Sequence, residues 1–62
     1  MDTYTYDCLK QHLTAAFNRV APAREQTEMS VMIGMMEALN FPLGEILSVI
    51  VDRFVEIVKE AA

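Results

Sequence analysis

The chain has 62 residues, 53% of them hydrophobic, with nine acidic and five basic side chains giving a formal charge of −4. One cysteine, Cys8, excludes an internal disulfide and the multi-cysteine zinc patterns, and the acidic balance argues against nucleic acid and anionic lipid as partners. A monomer this short buries only about 60% of the surface its unfolded chain exposes, so oligomerisation is the expected source of extra stability.

The start, Met1-Asp2-Thr3-Tyr4, lacks the basic and apolar segments of a signal peptide. The first helix is expected over 4–20. Tyr6, Leu9, Leu13, Ala16, Phe17 and Val20 recur at three- and four-residue spacing and make one narrow stripe, with Asp2 or Thr3 as its cap. Lys10, Gln11, Thr14, Asn18 and Arg19 fall toward water. Cys8 and His12 stand at i, i+4, where a thiol and an imidazole can meet. Nothing orients the imidazole as a base, and two ligands fall short of the four a metal site needs. Catalysis, metal and cofactor binding are therefore not expected, and the protein reads as a non-enzyme.

Ala21-Pro22 breaks the chain, because the residue before proline is pushed out of helical geometry. The second helix is expected over 23–39, with Glu25 and Glu28 near its positive end. Residues 29–36, Met-Ser-Val-Met-Ile-Gly-Met-Met, hold no charge. Met29, Met32, Ile33 and Met36 make one apolar face; Ser30, Gly34 and Ala38 line another with small side chains. A helical glycine costs about 1 kcal/mol relative to alanine, which suits a close helix–helix seam within one chain or between two. These features make the second helix the expected central element, covered on most sides. Methionine stripes fill cores and also serve adaptable binding surfaces.

Asn40-Phe41-Pro42 ends that helix, and a third is expected over 42–60. Leu43, Ile46, Leu47, Ile50, Val51, Phe54, Ile57 and Val58 cover about half its circumference, with Glu45, Ser48, Asp52, Glu56 and Lys59 opposite. Glu45, Asp52, Arg53 and Glu56 interrupt the segment, so it falls short of a membrane span. The lone thiol points to a reducing cytoplasm.

The fold class expected is all-α: a three-helix up-down-up bundle completed by homodimerisation, since two short connections favour antiparallel neighbours. Each helix of such a bundle needs one apolar stripe about 100° wide, and the second and third helices exceed it. The function expected is a small interaction protein, an adaptor, inhibitor or regulatory subunit, whose partners are its own copy and another protein. Met29, Met32, Ile33, Gly34, Met36, Leu47, Ile50, Val51, Phe54 and Val58 are the expected interface. The alternative is a DNA-binding regulator with a helix-turn-helix-like corner at 39–45 and a cationic cluster of Lys10, Arg19 and Arg24 near the first connection; its reading helix would present Glu45, Ser48 and Asp52, the wrong chemistry for base edges.

Overall fold

The computed structural model describes residues 1–62 and contains three α-helices and no strand. They are α1 (Thr3–Val20), α2 (Ala23–Ala38) and α3 (Leu43–Ala61). The Asp2 carboxylate caps α1 by accepting the Thr5 amide at 2.6 Å, and this bond holds its pKa below the ordinary value. Pro22 and Pro42 precede α2 and α3 as their N-cap residues, so α2 begins at Ala23 and α3 at Leu43, one position after the expected start at 42. Extended backbone at both prolines supplies the turn, and neither helix has a side-chain cap.

Both corners are stabilised by specific bonds. At the first, the Gln26 side-chain amide donates to the carbonyls of Asn18 at 3.1 Å and Ala21 at 2.9 Å, satisfying groups that the end of α1 leaves open. At the second, Asn40 adopts a left-handed φ of 59°. Its amide donates to Glu37 O at 3.1 Å, and the Phe41 amide donates to Met36 O at 3.0 Å. That pair of bonds is a Schellman closure with asparagine in the place usually taken by glycine.

The core lies chiefly between α1 and α3, the two helices in broadest contact. Phe17, Ile46 and Ile50 are fully buried, and Tyr6, Ala21, Met29, Ile33, Leu47 and Ile57 complete the cluster. Leu13, Met36, Leu43, Val49 and Phe54 pack against its margin. The central element is therefore α3, with which each of the other helices makes its broadest contact, and the expectation that α2 is covered on most sides is corrected. Only Met29 and Ile33 of α2 are buried, because α3's aliphatic edge already matches the Phe17 stripe of α1. The α1 stripe is also narrower than its spacing suggests. Leu9 and Val20 lie at its margin and stay 42% and 43% exposed.

Truncation of Phe17 tests this core. Phe17→Ala is expected to cost about 3–5 kcal/mol, comparable with the whole stability of a small domain, and thermal unfolding followed by circular dichroism should lose its cooperative transition. Gly44→Ala should do the opposite, because no atom lies within 4 Å of the added Cβ. A gain of about 0.4–1 kcal/mol is expected from the stiffer unfolded chain, read as a higher urea midpoint.

Candidate interaction surface

Helix α2 is fastened at each end by charge. Near its C-terminus, Glu37 accepts hydrogen bonds from the Tyr6 hydroxyl at 2.6 Å and the Lys10 ammonium at 2.8 Å. The Lys10 ammonium also sits 5.2 Å from the centre of the Tyr6 ring, in cation–π range. A carboxylate near a helix C-terminus faces the negative end of the helix dipole, and these two donors compensate it. They hold the Glu37 carboxyl below the ordinary carboxylate range, Lys10 first and Tyr6 second. Burial, reinforced by the bond to Glu37, pushes the Tyr6 phenol well above its usual value.

At the other end, Arg53 of α3 donates to Glu25 through Nε at 2.8 Å and also through Nη2, while Nη1 reaches Glu56 at 2.7 Å. These bonds raise the Arg53 pKa, with Glu25 the larger influence. Lys10 is thus engaged beside Glu37, so the cationic cluster expected with Arg19 and Arg24 does not form. Its ammonium is drawn to the carboxylate at the far end of α2 from the first connection.

Much of the remaining surface of α2 is apolar and open. Val31 is 57% exposed, Met35 59% and Leu39 68%, with Met32 and Phe41 also exposed. Together with Met36, Thr27 and Glu28, these residues line a shallow groove of about 700 Å³. A second groove, of about 690 Å³, runs between α1 and α2. Its floor includes Met29 and Ile33, and Thr14, Ala15, Ser30 and Gly34 are among its walls. No atom lies within 4 Å of a Cβ built on Gly34. The small-residue seam within one chain is therefore absent, and α1 and α2 stand apart along the very stripe that would have joined them.

Of the ten interface residues expected from sequence, Met29, Ile33, Leu47 and Ile50 are buried in the chain's own core. Period-3.6 reasoning finds an apolar face without distinguishing inward from outward. Met36 and Phe54 are half-buried, and Met32, Gly34, Val51 and Val58 are exposed. The Met29/Met32/Ile33/Met36 face is thereby split, with Met32 turned to its outer margin. Val31, Met35, Leu39 and Phe41 were missed; the uncharged run 29–36 was the signal that could have found Val31 and Met35, since it leaves no charge for the outward side, whereas Leu39 and Phe41 lie beyond it. On α3, Val51, Val55 and Val58 are exposed beside Asp52, and Glu45 and Ser48 are exposed as well. Tyr6 is buried, whereas Tyr4 is 79% exposed.

Cys8 is exposed. His12 turns its Nδ1 to the Cys8 carbonyl oxygen at 3.0 Å, a backbone contact one turn back along the helix. No group of three or more His, Cys, Asp or Glu side chains converges on a metal-sized site. No helix is long and apolar enough to cross a membrane. Compared with models of protein families, with curated proteins and with solved structures, the chain matches none.

The Glu37 clasp makes stability pH-dependent in a defined direction. A carboxyl whose folded pKa is depressed stabilises the fold above its unfolded value, and that contribution disappears as pH falls through the folded value. Stability should therefore begin to decline as pH drops below the ordinary glutamate value of 4.5. Glu37→Gln should flatten this part of the acid limb, and Tyr6→Phe should reduce it partly because Lys10 remains. Urea titrations at stepped pH measure both.

Proposed function

We propose that the protein is a small non-enzymatic interaction module, an adaptor, inhibitor or regulatory subunit, that self-associates through apolar helix surface and binds a further protein. The observation that carries this reading is the outward side of α2, where Val31, Met32, Met35 and Leu39 face solvent. Each large apolar side chain left in water forgoes about 1.5–3 kcal/mol of burial when wholly exposed. Scattered single residues of this kind are ordinary, but a contiguous apolar patch marks a contact surface.

The arrangement we favour is an up-down-up bundle whose homodimer covers that surface. Support for the antiparallel return of α2 comes from Glu37, which meets Tyr6 and Lys10 early in α1, and from Gln26, which meets the end of α1. The exposed Cys8 thiol suits a reducing compartment such as the cytoplasm. A DNA-reading role is less favoured, because the exposed side of α3 offers Glu45 and Asp52 to phosphates.

Light scattering on the purified chain addresses the reading directly. A species heavier than the 7.0 kDa chain is expected, with hydrophobic-dye binding at high dilution that fades as concentration rises. A stable monomer that binds no dye at any concentration would overturn it.

A further inference from the structure

We infer that Met32 and Met35 form a peroxide-sensitive modification site, where conversion of two thioethers to sulfoxides turns α2's apolar groove polar while the core stays intact. The inference goes beyond the proposed function and stands whether or not the chain self-associates.

The fold sorts the five methionines of the sequence by access. Met29 is 5% exposed in the core, whereas Met32 and Met35 are 45% and 59% exposed. Met36 is half-buried, and Met1 is open but lies outside the helices. A dissolved oxidant meets the sulfurs of Met32 and Met35 directly, while that of Met29 is reached only through opening of the fold.

Position on the helix gives the reaction its consequence. At about 100° per residue, Met35 and Met32 fall inside the arc bounded by Val31 and Met36, in the middle of the groove rather than at its rim. They are two of the six hydrophobic residues that line it. Oxidation converts a flexible apolar side chain into a polar, chiral one, so two sulfoxides here break the apolar lining at its centre. On α3, by contrast, the exposed large apolar residues are Val51, Val55 and Val58, hydrocarbon that peroxide leaves alone. Among the helices, sensitivity is confined to α2.

The same two residues are expendable for the fold. Neither belongs to the core cluster or packs against it. Helix α2 is held by Met29 and Ile33 and by the Glu37 and Glu25 clasps, none of which uses Met32 or Met35. Modification therefore changes the surface without loosening what anchors the helix.

The step is a two-electron oxygen transfer, with hydrogen peroxide as the co-reactant. The sulfur lone pair attacks one peroxide oxygen, and the S–O bond forms as the O–O bond breaks. The proton on the transferred oxygen passes to the departing hydroxide, giving water. Sulfur is oxidised to the sulfoxide and the peroxide is reduced.

Timed exposure to hydrogen peroxide at high dilution tests the inference, in a Cys8→Ser background that removes the exposed thiol. Peptide mapping by mass spectrometry should show oxygen added at Met32 and Met35 at least about tenfold faster than at Met29. The product should elute earlier from a native hydrophobic-interaction column, with its helical circular dichroism retained. A Met32→Leu/Met35→Leu chain, close in volume, should keep its retention after the same treatment, although its Met1 still reacts. Equal rates at Met29 and Met35, unchanged retention with both sulfoxides present, or loss of the helical signal would each overturn the inference. Mapping and retention read the single chain, so a monomer in the light-scattering experiment defeats self-association and leaves this site standing.

Discussion

Two polar clasps hold α2 to a core that barely needs it. Glu37 with Lys10 and Tyr6 fastens one end, Glu25 with Arg53 fastens the other, and between them only Met29 and Ile33 reach the interior. Partly exposed ion pairs contribute little each to stability, but they are directional, and here they set which side of α2 faces inward. Without them, a helix with apolar residues nearly all round has several rotations of similar energy. The clasps select one, and that choice leaves Val31, Met35 and Leu39 outside.

The α1–α3 pair is a simpler object. Phe17, Ile46 and Ile50 interlock with no exposure at all, and aliphatic residues on either side close the joint. Its energetics are those of ordinary close packing, where each buried side chain touches many neighbours. Specificity and stability are thus divided between different parts of the molecule: the fully apolar joint supplies most of the cohesion, and the charged ends of α2 supply its orientation.

Much of this was readable from residue spacing. Three helices, their approximate limits, a cap at Asp2 or Thr3 and the break at Asn40-Phe41-Pro42 follow from local rules that depend on a few adjacent residues. The orientation of α2 did not, because its two faces are equally greasy and periodicity cannot rank them. The deciding residues, Glu37 and Lys10, lie 27 positions apart, and a pairing over that distance leaves no local trace. Gly34 read as the sign of a close approach within one chain or between two, and within the chain the space above it is open. On α3 the fault was one of degree: its apolar arc is wide, but the flank holding Val51, Val55 and Val58 extends past the reach of α1 and α2.

The joint between α1 and α3 also governs how the chain comes to fold. Its two halves are the first and last elements, so the whole of α2 must be spanned before Phe17 can meet Ile46 and Ile50. Closing a loop of that length carries an entropic penalty that no local contact refunds in advance. An α1–α2 fragment has little to bury on its own, which makes the hairpin a poor resting point and ties collapse to the arrival of the final helix.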